Sequence, residues 1–465
     1  MSFAEGDSRD PYSLGELAML PAVFDPAADV ANLLSEMGRS AASAGAPRSV
    51  GRVCGLLGLE LEVEGVDAAI GDLVLVRRPS QPLPAEVVAV RDGRLLCAPL
   101  GDLRGVRYGT LAEPTGVPPR VEVGWGLLGR VLDGLGRPID ELPRPPGMVQ
   151  VDLDGSAPHP LRRRPVDTQL GLGVRAIDSL TPCGIGQRVG IFAGSGVGKS
   201  TLLGMMARGA TSDICVLALV GERGREVAEF VERDLGPDGL ARSVVVVATS
   251  DQPALVRIRA AFVATRIAEW FRDKGADVLL LVDSLTRLAM AQREVGLSAG
   301  EPPATRGYPP SAFGLLPTLL ERAGTGEQGS ITGLYTVLVE GDDMDEPIAD
   351  AARSILDGHI VLSRKLATSG HFPAIEPLES ISRVESSVTT AEQRRSAIEL
   401  RRLLAARREV AELVEIGAYV PGSSPVADRA LALDAEIEQF LCQDTSEAPL
   451  ARDTWDRLAS LVGPR

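Results

Sequence analysis

Cysteine is scarce and scattered. The five thiols, Cys54, Cys97, Cys183, Cys215 and Cys442, are odd in number, far apart and without a C-x-x-C pair. That argues against a disulfide framework and against a structural zinc site, and leaves buried apolar thiols in a reducing compartment as the expectation. Histidine is scarcer still: His159, His359 and His371 stand alone, with no Ser-His-Asp order and no metal-ligand spacing. No apolar run approaches the roughly 18 residues of a membrane-spanning helix. Runs such as 278–282 have the length of buried strands, and residues 1–10 hold no apolar core of a secretory signal. A soluble, cytoplasmic protein is expected, reaching a membrane only through partners. Positive charge is short as well. The 48 Lys and Arg against 63 Asp and Glu leave −15, which argues against broad binding to a nucleic-acid backbone.

What is present suits a globular chain: 465 residues, 45% hydrophobic, enough for several domains with cores that need no staples. Residues 1–45 are rich in Ala, Pro, Asp and Ser, with a weakly amphipathic stretch at 30–37. They read either as a partner-binding arm or as a plain tail. From Gly51, short apolar runs (52–56, 59–63, 73–76, 86–90, 95–98) are punctuated by Gly, Pro and an Asp92-Gly93 hairpin signal. They predict a small β-barrel over 46–116. Over 117–389, apolar strand runs at 188–193, 214–220, 243–248 and 278–282 alternate with helix-length segments. That alternation predicts an α/β domain on a mostly parallel sheet. Residues 390–465, rich in Ala, Leu, Glu and Arg, predict a helical domain. The basic run Arg162, Arg163, Arg164 precedes a proline and reads as a solvated linker.

The strand at 188–193 leads directly into Gly194-Ser195-Gly196-Val197-Gly198-Lys199-Ser200 and a helical stretch opening at Thr201. Glycines let backbone N–H groups close around phosphates, and the helix that follows turns its positive end to the same anion. Lys199 then reaches the β- and γ-phosphates of ATP, and the Ser200 hydroxyl can ligate Mg²⁺. The motif departs from its general form at one place, Ala193, where Gly is usual. Ala serves there if its φ is negative.

A second carboxylate for the metal is expected at the exit of a buried strand, and Asp283 follows the apolar run 278–282. Glu222 stands after the strand 214–220, at the carboxyl end where α/β sheets collect ligands. From spacing alone it is equally a water-orienting residue or a solvated loop glutamate. An arginine is needed for charge developing on the phosphoryl group, but spacing does not select Arg383 from the others.

With Gly221-Glu222-Arg223 after the P-loop, the chain resembles the F₁-like rotary and secretion ATPases. The segment Gly300-Glu301-Pro302-Pro303-Ala304-Thr305-Arg306-Gly307-Tyr308-Pro309-Pro310 narrows the resemblance to the protein-export branch. So do Val339-Glu340-Gly341-Asp342-Asp343, Ile355-Leu356-Asp357-Gly358-His359 and Ile416-Gly417-Ala418-Tyr419. The resemblance covers roughly 50–440. It implies a homohexamer with a barrel crown, a RecA-like core that binds ATP and Mg²⁺ between subunits, and a helical C-terminal domain. It makes Glu222 the catalytic base or water-positioning residue and places Arg223 near the γ-phosphate. Arg383 becomes an arginine finger acting on a neighbour's site, and Phe372 the ring against adenine, where relatives often carry Tyr. The implied partners are a stator or regulator protein on the arm, a central stalk protein, the membrane proteins of an export gate, and export substrates with their chaperones.

Other readings carry less. Gly307-Tyr308-Pro309-Pro310, Ile416-Gly417-Ala418-Tyr419 and the short helical tail disfavour a rotary ATP synthase catalytic subunit. The acidic charge, and a small barrel without interleaved basic and aromatic residues, disfavour a hexameric nucleic-acid motor. A binding-only regulatory subunit is opposed by Glu222, since non-catalytic members tend to carry Gln there. Within the export branch, Ala304-Thr305 and Gly417-Ala418-Tyr419 lean flagellar, whereas Leu441-Cys442 and 339–344 also occur in injectisome relatives. The flagellar reading is carried forward.

Overall fold

The computed structural model describes residues 37–38, 49–339 and 343–463. Apart from Met37 and Gly38, the expected arm 1–45 lies outside the described residues, and so do Glu340-Gly341-Asp342 of one family segment.

Six strands, β1 (Gly51–Leu57), β2 (Glu60–Glu64), β3 (Leu73–Val76), β4 (Leu83–Arg91), β5 (Arg94–Pro99) and β6 (Leu111–Pro114), form a barrel. It closes in the order β1-β2-β5-β4-β3-β6. Alternate residues fill it: Leu61 and Val63, Val74 and Val76, Leu83, Ala85 and Val87, Leu95 and Cys97. That is the period of two that a small closed barrel requires. Asp92 and Gly93 turn β4 into β5 with φ of 50° and 74°, and Arg91 pairs with Arg94. Two consecutive positive φ values mark the hairpin turn that Asp-Gly favours. β6 is one strand more than the apolar runs predict. Its four residues, Leu-Ala-Glu-Pro, are too short and too polar to show a period.

The larger sheet takes β7 (Arg130–Asp133), β8 (Arg188–Ala193), β9 (Ile214–Glu222), β10 (Ser243–Thr249), β11 (Asp277–Asp283), β12 (Ser330–Leu338), β13 (Gly358–Leu362) and β14 (Ile381–Ser382). Their order across it is β14-β13-β8-β12-β11-β9-β10-β7, with Gly324–Thr325 added beside β12. Every pair from β13 to β7 is parallel, and β14 is antiparallel at the edge. The strands read as unbroken apolar runs because both faces are covered. On β9, Val216, Ala218 and Val220 join one core, and Cys215, Leu217 and Leu219 join the other. Helices α2 (Ala254–Asp273) and α3 (Leu285–Ser298) cover the first face. Helix α1 (Lys199–Gly209) covers the second, joined by residues of α4 (Ala391–Glu415), α6 (Asp434–Leu441) and α7 (Ala451–Val462). Between α4 and α6 lies the shorter α5 (Pro425–Ala432). α4 starts on a capping box in which Thr390 and Gln393 satisfy each other's backbone N–H.

Two ion pairs lock this frame. Arg259 of α2 makes a bidentate pair with Glu86 of β4, joining the barrel to the core where both side chains are nearly buried. Arg322 holds Glu269 of α2 through two bonds of 2.7 Å in the core itself. The basic run is not a solvated linker. Arg163 donates to the carbonyls of Glu321 and Ala323, and Arg164 to those of Gly326 and Gly329, so the run clamps the loop before β12. Cys97, Cys183 and Cys215 are buried as expected, but Cys54 and Cys442 are only half-buried. No helix among the described residues is long and apolar enough to cross a membrane.

Glu60 opens β2 from inside the structure, 2% exposed, with no hydrogen-bond partner for either carboxylate oxygen among the described residues. Burial pushes its pKa up to about 7. The folded protein therefore prefers the neutral acid, and stability falls as pH rises from the ordinary glutamate range towards 7. Glu60→Gln should raise Tm by an amount that grows between pH 5 and pH 8, read by thermal melts across that range. A difference that stays constant with pH would sink the assignment.

Candidate active site

The loop between β8 and α1 is built for an anion. Gly196 and Gly198 have φ of 78° and 84°, a backbone that side chains rarely adopt, and a Cβ on Gly196 would meet nothing within 4 Å. No side chain caps α1, so its first turn keeps its N–H groups for a ligand. Ala193 is the last residue of β8, paired with Leu338 and Leu362 and outside the positive-φ region. Alanine therefore costs nothing where the motif usually has glycine. Ser195 and Ser200 are exposed, Thr201 is half-exposed, and Val197 is buried beneath the loop.

Lys199 leans across the sheet edge onto two carboxylates. Its Nζ pairs closely with Asp283 Oδ1 and lies 3.6 Å from Glu222 Oε1. Asp283, 3% exposed at the end of β11, also accepts from Thr336 Oγ1 of β12 at 2.6 Å. Glu222 ends β9 at 8% exposure, aligned with Thr249 of β10. Arg287 lies against it, with Nε 3.0 Å from Oε1 and Nη2 donating to Oε2 at 3.3 Å. The first contact is close but poorly aligned, and Oε1 has no hydrogen-bond partner among the described residues. Burial, with Asp283 nearby, pushes the Glu222 pKa up against the opposing pull of Lys199 and Arg287. A buried carboxylate with a raised pKa is suited to orient and deprotonate a water molecule.

The other expected residues divide. The ring of Phe372 is 46% exposed and covers Gly198, whose added Cβ would lie 3.4 Å from it, so an aromatic face does border the loop. Arg223 is brought close in sequence but not in contact: its exposed guanidinium pairs with Glu226 at 3.2 Å. Arg383 stands elsewhere. It follows β14, its N–H bonds the carbonyl of Asp357 and its guanidinium the carbonyl of Arg353. Asp357 in turn bonds the Arg188 N–H, at the start of β8, whereas the glycine loop leaves from its end. Five strand residues, roughly 16 Å, separate the two levels. Arg383 belongs to the opposite edge of the sheet from its own chain's Lys199.

Two members of the cluster are not singled out by the sequence. Thr336 is one threonine in a buried strand. Arg287 carried a weak signal, because a cation in the first turn of a helix opposes the helix dipole and calls for a compensating anion. Ser284 caps that helix by accepting from the Arg287 N–H.

Residues 173–382 match the ATP synthase alpha/beta family, nucleotide-binding domain, and residues 389–460 match the T3SS EscN ATPase C-terminal domain. The chain is 51% identical over 416 residues to a flagellum-specific ATP synthase of Bacillus subtilis, covering 89% of this chain and 95% of that one. It is 49% identical over 426 residues to a type 3 secretion system ATPase of Xanthomonas euvesicatoria, covering 91% and 96%. Its fold is similar to that of the assembled ATPase EscN in complex with its central stalk EscO, from the enteropathogenic E. coli type III secretion system. That likeness has a TM-score of 0.82 at 46% identity over 89% of this chain and 100% of that one. The glycine loop, the two carboxylates and the helical tail thus sit in one lineage, and the chain belongs to the ATP synthase alpha/beta family, in its branch of flagellum-specific and type 3 secretion ATPases.

Proposed function

We propose that this chain hydrolyses ATP to ADP and phosphate to energise protein export through a flagellar type III apparatus, releasing and unfolding substrates from their chaperones at the export gate. The observation that carries the catalytic part is the burial of the Glu222 carboxylate 3.6 Å from Lys199 at the mouth of the glycine loop. Gly194 to Ser200 and Thr201 cradle the phosphates, and Lys199 exchanges its carboxylate partners for the β- and γ-phosphates. Glu222 orients the attacking water and accepts its proton, while Arg287 fixes the carboxylate. Ser200 and Asp283 fit Mg²⁺, which when bound neutralises charge on the phosphate oxygens. Phe372 stacks on adenine, and Arg223 turns inward to the γ-phosphate.

Arg383 acts on a neighbouring subunit, a role supported by its place on the opposite sheet edge and its exposure. A homohexamer follows, with 46–116 as crown, 117–389 as motor and 390–465 as the helical domain. A central stalk protein binds it, as the central stalk EscO is in complex with the assembled EscN. The arm 1–45 meets a stator or regulator. The assembly is cytoplasmic, held at the inner face of the membrane by the gate proteins, with no part for nucleic acid. A second reading, an injectisome ATPase, is favoured by the 49% identity to the Xanthomonas enzyme. Deleting the gene separates them: loss of filaments and motility supports the flagellar reading, whereas normal motility with failed effector secretion overturns it.

Glu222→Gln should lower kcat by roughly 10²–10⁴-fold while nucleotide binding persists. In the wild type, the acid limb of kcat/KM should lie above the ordinary glutamate range, because the raised pKa keeps Glu222 protonated to higher pH. A variant with near-normal turnover would remove Glu222 from the mechanism.

Arg383→Ala should cost at least roughly 10³-fold in turnover. Mixed in equal amounts with Glu222→Gln, it should regain part of the rate, since some interfaces then combine an intact Glu222 with an intact Arg383. A mixture that co-assembles by light scattering yet stays inactive would refute action between subunits.

A further inference from the structure

His371 is not isolated. The loop that carries it meets the C-terminal end of α6, where Glu438 is followed one turn on by the capping residue Cys442, whose N–H bonds the Glu438 carbonyl at 2.8 Å. His371 Nδ1 is 2.7 Å from Glu438 Oε2 and 3.4 Å from Cys442 Sγ, and that sulfur is 3.9 Å from the same oxygen. Bonds of roughly 2.0–2.3 Å to a tetrahedral ion place nitrogen, oxygen and sulfur donors roughly 3.3–3.6 Å apart. The 3.4 Å separation already matches; the 3.9 Å one is slightly wide, and the 2.7 Å hydrogen bond opens by roughly 0.6 Å when both atoms turn to one ion. Arg407 of α4 holds the second oxygen of Glu438 at 2.6 Å, the kind of outer contact that fixes a ligating carboxylate. The three side chains stand on the wall of a cavity of about 730 Å³, which leaves room for a fourth ligand such as water.

We infer that His371, Glu438 and Cys442 form a binding site for a borderline-soft divalent cation of the zinc type, separate from the Mg²⁺ of the nucleotide site. A mixed nitrogen, sulfur and oxygen set selects zinc-like ions over magnesium or calcium, which prefer oxygen alone. On binding, the Cys442 thiol gives its proton to solvent as the sulfur–metal bond forms, so affinity weakens as pH falls. The next residue, Phe372, covers Gly198, and its carbonyl accepts from the Gln443 N–H at 2.9 Å. An ion here therefore ties the ring beside the glycine loop to the C-terminal helices.

The test is cobalt(II) titration of the full chain after chelator treatment, without nucleotide. A thiolate–cobalt charge-transfer band should saturate at one ion per chain and bleach on adding zinc. Cys442→Ser should abolish it and Cys54→Ser leave it intact. His371→Gln and Glu438→Gln should each weaken binding roughly tenfold or more, at least the cost of losing an outer contact. Circular dichroism confirms that each variant is folded, and His371→Gln carries the test should Cys442→Ser unfold. No band, or one that survives Cys442→Ser or is lost with Cys54→Ser, overturns the site and leaves a structural His–Glu pair.

Discussion

One ammonium between two buried carboxylates organises the catalytic edge of this protein. Lys199, Glu222 and Asp283 come from three different parts of the chain, and none could be buried alone without a large desolvation cost. The sheet makes the meeting possible. Parallel strands all end on one edge, so the exits of β8, β9 and β11 are neighbours in space although they are far apart in sequence. β12 lies between the glycine loop's strand and β11, and Thr336 on it ties Asp283 in place. The lysine therefore crosses β12 to reach its partners.

Ion pairs brace the frame around this edge. α2 spans from the barrel to the core, bound to Glu86 at one position and to Arg322 through Glu269 at another. A bidentate pair that is almost fully buried resists small displacements, because breaking it strands a charge. Ser250, three residues from α2's capping end at Pro253, bonds the Glu222 carbonyl at 3.0 Å. Contacts thus run from the barrel through α2 to the strand end that holds Glu222.

Much of this was written locally. The P-loop announces itself because phosphate binding needs glycine at positive φ, and Asp92-Gly93 does so because a tight hairpin needs the same. The two-faced burial of β9 and β11 was legible as continuous apolar runs. What stayed hidden depends on tertiary neighbours. Arg287 and Thr336 are ordinary residues until the sheet places them. Arg163 and Arg164 look like a solvent-facing basic run, yet they donate to carbonyls some 160 residues away. His371 looks isolated because its partners Glu438 and Cys442 lie 67 and 71 residues further on. β6 was missed for a different reason: four mixed residues hold too little pattern, and only barrel closure makes them a strand.

The charges of the cluster also say something about assembly. Lys199 and Arg287 balance Glu222 and Asp283, so the site is already neutral with its own side chains. A triphosphate brings several negative charges into that neutral ground, and more develops on the transferred group in the transition state. Without nucleotide, Arg223 faces Glu226, and Arg383 is at the far level of the sheet. On the mechanism proposed above, the further positive charge comes from a metal ion, from Arg223 turned inward and from Arg383 of a neighbouring subunit. A site complete in its base and lysine but short of cations is one whose turnover waits on a neighbour. On that reading, electrostatics at a single sheet edge favours a ring of subunits.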